Sequence, residues 1–449
     1  MFSGPASAAL TVRVLGNHLV DAEQRPLRLL GVDFSGAEYA CIQDKGIWSS
    51  PTDRATIEAI ASWRVNAVRI PLNEDCWLGI NGAPAAYSGA AYQQAVHEFV
   101  QALHDAGMYA ILDLHWNAPG SQQALGLQPM ADLDHSLDFW RSVALSFRED
   151  PAVLFDLYSE PHDIGWECWL NGCSLPGPEG SAWRAAGMQS LVDAVRSQGA
   201  DQPLLLGGLE WANDLSGWLE HLPVDSEHQL VASVHMYPNN QCNSAACWST
   251  TLAAIARSHP VVAGELGEFD CQHQFIDQFM NWADANGVSY LGWSWNTYDC
   301  SAGPSLIAGV DGTPTTYGAG LREHLLATSP SVVNNPPPEP PPAQEPGAPA
   351  PTTPTPQTPP PAPAPAPAPT LPAPPGASIT TPDAPLLRVA APVAAGAHST
   401  PVRSRRRPGG KHKVKKRTAR KSASHRATSR RLHRQVTKAV RPVTINSHP

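Results

Sequence analysis

The stretch Leu154–His162 reads L-F-D-L-Y-S-E-P-H and places a glutamate directly after an apolar run. The apolar residues predict a buried β-strand from Val153 to Glu160, and Pro161, which has no N–H and a fixed φ, ends it. Burial raises the free energy of an ionised carboxylate, so Glu160 is costly there unless it is paired or used in chemistry. The stretch therefore predicts a functional acid delivered by a buried strand.

A second apolar run ends in a glutamate about a hundred residues further along the chain. Pro260–Gly267 reads P-V-V-A-G-E-L-G, and its strand-like part ends at Glu265. Two glutamates at the ends of two buried strands indicate a pair of carboxylates that face each other across one active site.

Apolar strands alternate with amphipathic helices over the first 330 residues or so. This α/β alternation predicts a parallel sheet with helices on both faces. Eight strand–helix units favour a closed (β/α)8 barrel, the TIM-barrel fold, over an open sheet. No G-x-G-x-x-G follows the first strand, so the main sequence signature of a dinucleotide-binding fold is missing. The predicted strands are Leu27–Asp33, Val65–Leu72, Tyr109–Trp116, Val153–Glu160, Pro203–Gly208, Leu230–Tyr237, Val261–Glu265 and Ser289–Asn296.

Polar and aromatic side chains recur at the carboxyl ends of these strands. In a (β/α)8 barrel those ends converge on one face, where the active site is built. Each residue alone has an ordinary structural explanation, such as an ion pair or a histidine satisfied within the core. Independent causes do not account for their shared position, which predicts one functional site. The residues are Arg69, His115, Glu160, His235, Tyr237, Glu265 and Trp295.

Two facing carboxylates on a rigid scaffold suit the cleavage of a glycosidic bond. In the retaining mechanism one carboxylic acid protonates the leaving oxygen, and the other carboxylate attacks the anomeric carbon. We assign the acid/base role to Glu160 and the nucleophile role to Glu265, with Arg69 and the Tyr237 hydroxyl keeping Glu265 charged. This chemistry needs neither metal nor cofactor, and none is expected. The side chains expected to bind sugar hydroxyls or to tune the acid are His115 and His235.

All 14 tryptophans precede the proline-rich segment, and several follow predicted strands. Pyranose rings present flat C–H faces, so indoles along a cleft can hold a sugar chain by stacking. Core packing is the alternative for any single tryptophan. The positions of Trp116 and Trp295 beside catalytic candidates favour stacking on substrate. The predicted substrate-binding set is Trp48, Trp116, Trp211, Trp293 and Trp295.

Seven short motifs occur in order along the first 300 residues or so. They are G-V-D-F-S-G-A-E-Y at 31–39, N-A-V-R-I-P-L-N-E at 66–74, A-I-L-D-L-H at 110–115, S-E-P at 159–161, H-M-Y at 235–237, G-E-L-G at 264–267 and W-S-W-N at 293–296. As an ordered set they resemble glycoside hydrolase family 5, the cellulase-type retaining β-glycosidases with a (β/α)8 fold. The resemblance covers about residues 10–328 and implies Glu160 as acid/base and Glu265 as nucleophile. It implies supporting roles for Arg69, His115, His235, Tyr237 and Trp295.

Ser159 departs from the pattern of that family, which has asparagine before the acid, as N-E-P. In the family this asparagine holds the 2-hydroxyl of the sugar in the −1 subsite, and contacts to the 2-hydroxyl can supply several kcal/mol in the transition state. The shorter serine leaves three alternatives open: slower turnover, altered specificity, or a mostly binding role. A working enzyme is the preferred interpretation, because both glutamates and the other supporting residues are present.

The eight cysteines include two C-x4-C pairs. Their even number predicts four disulfides in an oxidising compartment, and hence an extracellular or cell-surface protein. A zinc site and free thiols are the alternatives, but the close pairs lie far apart and lack a tight C-x2-C spacing. No signal peptide is visible in Met1–Pro5. The expected pairs are Cys168–Cys173 and Cys242–Cys247 as local loops, with Cys41–Cys76 and Cys271–Cys300 joining neighbouring βα loops.

Charge and composition divide the chain into three parts. Residues 1–334 contain 13 lysines and arginines against 37 acids, a net charge of −24, whereas residues 401–449 contain 17 basic residues and no acid. About half of residues 336–375 are proline, which predicts an extended polyproline spacer. We expect a catalytic domain over 1–330, a disordered Pro/Ala-rich linker over 331–400 and a disordered basic tail over 401–449. No segment is long and apolar enough to span a membrane.

The charge of the tail favours electrostatic attachment to a polyanion, with an anionic cell-envelope polymer preferred over anionic lipid or nucleic acid. A simple solvated tail is the alternative. The tail lacks aromatic residues, so it is not a carbohydrate-binding module that stacks sugars. The acidic body argues against nucleic acid as a partner, and we expect a monomer.

The sequence thus predicts a secreted, metal-independent, retaining endo-β-1,4-glucanase. The first alternative is a β-mannanase or another β-glycanase of the same family. A second is a carbohydrate-binding pseudoenzyme tethered by its basic tail, and a third is a nucleic-acid-associated protein.

Overall fold

A closed barrel of eight parallel strands forms the centre of the computed structural model, which describes residues 10–177, 180–300 and 303–328. The barrel strands follow one another in chain order around the barrel, so the predicted (β/α)8 fold is confirmed. In chain order the strands are β1 (Arg13–Leu15), β2 (His18–Val20), β3 (Pro26–Leu27), β4 (Leu30–Asp33), β5 (Ala67–Asn73), β6 (Tyr109–Trp116), β7 (Val153–Asp156), β8 (Ser174–Pro176), β9 (Ala182–Arg184), β10 (Leu204–Gly207), β11 (Leu230–Met236), β12 (Val261–Leu266) and β13 (Ser289–Gly292).

Strands β4–β7 and β10–β13 make the barrel, while β1–β3 form a small antiparallel sheet and β8 and β9 a hairpin. Helices connect the barrel strands and cover their outer face. They are α1 (Ala37–Ala40), α2 (Arg54–Ser62), α3 (Glu74–Leu78), α4 (Ala90–Asp105), α5 (Ser136–Phe147), α6 (Trp166–Asn171), α7 (Met188–Arg196), α8 (Leu209–Ala212), α9 (Ala245–Cys247), α10 (Ala253–Ile255), α11 (Gln274–Asn286) and α12 (Thr316–Thr328), with a 3₁₀ turn at Trp218–His221 and a π turn at Trp248–Leu252.

Two apolar cores hold this arrangement together. The larger lies between the barrel strands and the helices and includes strand residues such as Val68 and Leu112. The smaller is a layer of inward-facing side chains at the amino end of the barrel, which β1–β3 cover. This layer fills the barrel below the site, so the open space lies at the carboxyl ends of the strands. Its members include Ala67, Ile111, Leu154, Leu205, Val231, Val262 and Leu291.

Four predicted strands end earlier in the structure than in the prediction, β10 and β11 by one residue and β7 and β13 by four. Strand β7 ends at Asp156, and the segment 157–160 continues as an extended loop whose backbone still bonds to both neighbouring strands. Leu157 N–H donates to the Leu205 carbonyl at 3.0 Å, and Ser159 N–H donates to the Leu114 carbonyl at 3.1 Å. Strand β13 ends at Gly292, so residues 293–296 lie in the following loop.

Four disulfides staple the loops that follow barrel strands, and the predicted pairing is confirmed: Cys41–Cys76, Cys168–Cys173, Cys242–Cys247 and Cys271–Cys300. The first joins the loop after β4 to α3 after β5, and the last joins the loops after β12 and β13. Among the described residues, no helix is long and apolar enough to cross a membrane. The predicted linker at 331–400 and tail at 401–449 lie outside the described residues.

Candidate active site

The loops after β7 and the end of β12 bring the two glutamates together. An oxygen of Glu160, an oxygen of Glu265 and a ring nitrogen of His235 all lie within 4.8 Å of one another. Retaining glycosidases hold their carboxyl groups about 5–5.5 Å apart, whereas inverting enzymes need about 6.5–9.5 Å to admit a water. The spacing therefore fits direct attack by one carboxylate on the sugar.

Glu265 receives a hydrogen bond on each of its carboxylate oxygens. Arg69 Nη1 donates to Oε1 at 3.0 Å, and the Tyr237 hydroxyl donates to Oε2 at 2.7 Å. Both donors favour the charged form of the carboxylate, and Arg69 adds a full positive charge with its guanidinium fully buried. This environment suits an ionised nucleophile.

Tyr237 can reach Glu265 because the residue opposite its ring is Gly267, which has no side chain. A Cβ at Gly267 would lie 2.3 Å from the Tyr237 ring, so a glycine is needed there. On its other side, the Tyr237 ring stacks against Phe269 at 5.2 Å between ring centroids. The tyrosine is thus fixed from both sides.

Glu160 has a different set of neighbours. Its Oε1 lies 2.9 Å from His235 Nδ1, and that same nitrogen lies 3.5 Å from Glu265 Oε2. Burial raises the pKa of Glu160 to about 7, partly offset by the nearby His115 and Arg69. Burial lowers the pKa of His235 to about 3, so this ring is neutral at ordinary pH. A carboxyl that keeps its proton near neutrality beside a neutral imidazole can act as a general acid.

His115 lies next to the glutamates, and contacts with Asp113 and Trp293 fix the orientation of its ring. Its Nδ1 lies 2.7 Å from Asp113 Oδ2, which leaves Nε2 for other contacts. The ring stacks on Trp293 at 5.4 Å with an interplanar angle of 11°. Burial lowers the pKa of His115 to about 4, so it too is neutral. His115 can therefore offer a hydrogen bond to a sugar hydroxyl without adding charge.

Arg69 is the centre of a buried charge cluster that the sequence analysis did not predict. Besides Glu265 it contacts Asp33 (Nη1–Oδ1, 3.0 Å), Asp113 (Nη2–Oδ2, 3.0 Å) and Asp156 (Nε–Oδ2, 2.9 Å). The three aspartates are completely buried and point into the barrel from β4, β6 and β7. The signal for them was present, since each is an acid inside or at the end of an otherwise apolar strand.

Ser159 also belongs to the Arg69 cluster. Its side chain is buried, and its Oγ accepts a hydrogen bond from Arg69 Nη2 at 3.0 Å. The hydroxyl is thereby directed to the guanidinium beneath the site. It supports Arg69, which in turn holds Glu265.

The predicted tryptophans differ in what they offer to a ligand. Trp211 is 43 % exposed and stacks face to face on His162, 3.7 Å between ring centroids, beside the loop that carries Glu160. Trp116 and Trp293 are half-buried near His115, and Trp48 is half-buried against Phe99 in the outer core.

The prediction that Trp295 stacks on substrate is wrong. Its side chain is 1 % exposed and packs edge-on against Trp63 at 4.8 Å, so it has no free face for a sugar. The chain leaves β13 at Gly292, and the alternation of a strand therefore no longer sets the direction of residue 295. Trp293, in contrast, lies beside the site, stacked on His115.

The sequence did not predict a binding role for two exposed aromatic side chains near the site. Among the described residues, Phe269 and Tyr298 are about half exposed, in loops after β12 and β13. The Tyr298 hydroxyl hydrogen-bonds to that of Tyr39, and Tyr39 lies 6.2 Å from Trp116. With Trp211, these rings form an aromatic rim around the glutamates.

Within the described residues, Glu160, His235 and Glu265 form the one group with three potential metal-ligand atoms close together. Each of these three residues also takes part in the hydrogen bonds of the glutamate pair described above. Acid/base and nucleophilic chemistry accounts for this group without an ion.

Comparison with known proteins identifies the family. The sequence profile of "Cellulase (glycosyl hydrolase family 5)" matches residues 20–299. The chain belongs to glycosyl hydrolase family 5. This match confirms the resemblance read from the seven motifs.

Individual proteins of known activity are similar to this chain at low identity. Endoglucanase CelA of Streptomyces lividans is 22 % identical over 347 residues, covering 72 % of this chain and 66 % of CelA. A mannan endo-1,4-beta-mannosidase of the same organism is 26 % identical over 230 residues, covering 43 % of this chain and 55 % of that protein. The chain therefore spans just under two thirds of the first relative and about half of the second.

Solved structures share the fold of this chain. The beta-glucanase SdGluc5_26A of Saccharophagus degradans, in complex with cellotetraose, superposes with a TM-score of 0.56 at 21 % identity, over 72 % of this chain and 94 % of that one. At this identity the match supports the barrel fold alone.

Proposed function

We propose that this family 5 protein is a secreted, retaining endo-β-1,4-glucanase. The observation that carries the proposal is the close approach of Glu160 and Glu265 with contrasting partners: a neutral histidine beside the first, and a guanidinium and a phenol on the second. The name and the sequence similarity of Endoglucanase CelA support the glucan as substrate.

The reaction proceeds in two steps at this pair. Glu160 gives its proton to the leaving oxygen while the Glu265 carboxylate attacks the anomeric carbon, which forms a glycosyl ester on Glu265. A water then enters on the side of Glu160, which has become a carboxylate and takes a proton from it as it attacks the same carbon. The ester bond breaks, and both glutamates return to their starting states.

The aromatic rim supports binding within a long chain and not only at its end. Trp211 lies beside the loop of Glu160, which is the side of the leaving group. The backbone there has positive φ at Glu210, Trp211 and Ala212, an uncommon conformation for residues with side chains. Such an observed departure points to a functional position for Trp211. We expect Trp211 to stack on the departing part of the chain, and Trp116 and Trp293 to border the sugar that is attacked.

A β-mannanase is the second candidate, favoured by the similarity to the mannan endo-1,4-beta-mannosidase. Ser159 bears on the choice between glucan and mannan, because the asparagine that the family has at this position holds the 2-hydroxyl of the sugar. The Ser159 hydroxyl is buried under the site and is directed to Arg69, not into the cleft. A protein that binds such chains without cleaving them is the third candidate.

The test is reducing-sugar release from a panel of soluble β-glucans and β-mannans. We expect release from β-1,4-glucan, and its loss in Glu265→Gln. Glu167→Gln is the matched control, since Glu167 is an exposed glutamate in α6 at the same end of the barrel. Release from mannan alone would move the assignment to a mannanase, and binding without release would make the protein a pseudoenzyme. Activity that survives Glu265→Gln would refute the nucleophile assignment.

The basic segment at 401–449 supports a second element of the proposal. Its 17 positive charges without an acid suit attachment to an anionic cell-envelope polymer. Four disulfides support an extracellular or cell-surface location, where such polymers occur. We expect the protein to act there as a monomer.

A further inference from the structure

The barrel interior beneath the glutamates holds more negative charge than one cation can balance. The Arg69 guanidinium contacts four carboxyl groups, with N–O distances of 3.0 Å or less. They belong to Asp33, Asp113, Asp156 and Glu265. Arg69 and the three aspartates are fully buried, where an uncompensated charge is very costly. Some of these carboxyl groups must therefore carry protons.

The number of polar neighbours, hydrogen-bonded or ion-paired, separates the four carboxyl groups into two pairs. Glu265 accepts from Arg69 on one oxygen and from Tyr237 on the other. Asp113 Oδ2 lies 3.0 Å from Arg69 Nη2 and 2.7 Å from His115 Nδ1. Two hydrogen-bond donors on Glu265, and the Arg69 ion pair together with the His115 hydrogen bond on Asp113, favour the ionised form of these two groups.

Asp33 and Asp156 each have Arg69 as their one hydrogen-bond donor among the described residues. Each accepts one hydrogen bond, from Arg69 Nη1 to Asp33 Oδ1 and from Arg69 Nε to Asp156 Oδ2. Their other oxygens, Asp33 Oδ2 and Asp156 Oδ1, are buried and have no hydrogen-bond partner among the described residues, and the same holds for Asp113 Oδ1. Asp113 differs from the other two aspartates in its second neighbour, His115. An anionic oxygen without a partner costs more than a neutral hydroxyl in the same place.

We propose that Asp33 and Asp156 remain protonated when Asp113 and Glu265 are ionised, so that the barrel stores two protons directly beneath the nucleophile. The positive charge of Arg69 is then shared by Asp113 and Glu265 alone. Asp33 and Asp156 act as neutral positioning residues that hold the guanidinium by accepting its N–H groups. The benefit to Glu265 rests on the proposed function, but the protonation itself does not.

The remaining charged and titratable groups around the cluster do not supply a second cation. Burial raises the pKa of Asp33 and of Asp156 well above the ordinary aspartate value, and that of Asp113 to about 7. The neighbouring histidines are neutral, as described above. The groups that face the cluster are Glu38, His115, Tyr158, Glu160, His235, Tyr237 and Tyr317.

A stored proton has a definite effect on stability. An acid whose folded pKa is raised keeps its proton while the unfolded chain releases it above about pH 4, so wild-type stability falls as pH rises from there towards the folded pKa. Asparagine resembles the protonated carboxyl in shape and does not titrate. The stability of Asp33→Asn or Asp156→Asn relative to wild type should therefore increase with pH.

The experiment is thermal unfolding of the full chain between about pH 5 and pH 8. We expect the Tm of Asp33→Asn and of Asp156→Asn, each measured relative to wild type, to rise steadily over this range. Asp225→Asn is the matched control, because Asp225 is buried but paired with Arg196 at 2.7 Å, and its pKa is lowered. Its Tm difference should be negative and constant, since Asp225 is ionised in both states throughout. A flat, negative difference for Asp33→Asn and Asp156→Asn would overturn the proposal.

A second measurement uses the wild-type protein and so does not depend on whether a variant folds. Neutron diffraction from crystals in deuterated buffer near neutral pH should show deuterium on a carboxyl oxygen of Asp33 and of Asp156. Both carboxyl groups without deuterium would show that the layer is ionised and would contradict the proposal, whatever the substrate of the enzyme.

Discussion

Glu160 and Glu265 are the same type of residue, and their neighbours give them different chemistry. Glu265 accepts hydrogen bonds on both oxygens from Arg69 and Tyr237, which stabilise its charge. Glu160 is within hydrogen-bonding distance of a neutral histidine, and burial raises its pKa. A carboxyl group that keeps its proton and a carboxylate whose charge is stabilised by two donors are what an acid and a nucleophile require.

The pH dependence of cleavage follows from the raised pKa of Glu160. Since this residue must hold a proton to assist the leaving group, kcat/KM on glucan should fall as pH rises through about 7. An aryl glycoside with a strongly activated leaving group needs no proton, so its kcat/KM should lack this alkaline limb. Parallel pH profiles on the two substrates provide the measurement. A limb of equal size on both would assign the titration to another group.

Trp211 and Trp295 should respond differently to replacement by alanine. Trp295→Ala removes a buried ring packed on Trp63 and should cost about 3–5 kcal/mol of unfolding free energy. Trp211→Ala removes a ring that is 43 % exposed, so it should raise KM for oligosaccharides and leave Tm nearly unchanged. Thermal unfolding and steady-state kinetics of both variants distinguish a binding ring from a core ring. Equal losses of stability would contradict these assignments.

The sequence predicted the residues at the ends of buried strands and Arg69 inside the barrel, but not the three aspartates that contact Arg69. Glu160, His235 and Glu265 stand out because polar side chains there interrupt an apolar run at its end. Asp33, Asp113 and Asp156 lie at inward-facing positions, where pattern alone predicts apolar residues. Their burial becomes intelligible only when Arg69, from another strand, is placed between them. That pairing joins strands far apart in sequence and is visible only in the folded chain.

At the level of elements, the strands were predicted well and the segments after them less well. Strand β6, Tyr109–Trp116, has the predicted bounds, because a continuous apolar run marks a strand covered on both faces. The segments 157–160 and 293–296 are loops in the structure, although their residues continue the apolar pattern. Their direction depends on hydrogen bonds and packing with neighbouring elements, which explains the wrong assignment of Trp295.

The disulfides should contribute to stability according to the length of chain they close. Cys41–Cys76 spans 35 residues and joins two βα loops, whereas Cys168–Cys173 spans 5 residues. Closing the longer loop restricts the unfolded chain more, by ~1.6 kcal/mol in the loop-entropy relation. Double replacement by alanine should therefore lower the free energy of unfolding more for the first pair than for the second, as measured by denaturant titration. The reverse order would argue against loop closure as the main effect.

At the scale of the whole molecule, two regions of opposite charge share one chain. Residues 1–334 carry a net charge of −24, and residues 401–449 carry 17 positive charges. Opposite charge on the two regions allows the tail to bind anionic surfaces that would repel the catalytic body. We propose that the tail anchors the enzyme to such surfaces and leaves sugar binding to the catalytic body.

Removal of the tail should abolish binding to anionic surfaces and spare catalysis. A protein truncated near residue 335 should lose low-salt binding to anionic cell-wall polymer and keep its kcat/KM on soluble substrate. Binding by the full chain should weaken as salt increases, because exposed charges are screened. Co-sedimentation at several salt concentrations is the measurement. Equal binding of truncated and full-length protein at low salt would show that the tail is not the anchor.

The central claim is that Glu265 attacks the sugar while Glu160 protonates the leaving group. The most direct test is proton NMR of the first product released from a β-1,4-linked glucan oligosaccharide, recorded before the anomers equilibrate. Double displacement through a glycosyl ester on Glu265 predicts the β-anomer. Initial release of the α-anomer would mean a single displacement by water and would contradict the account.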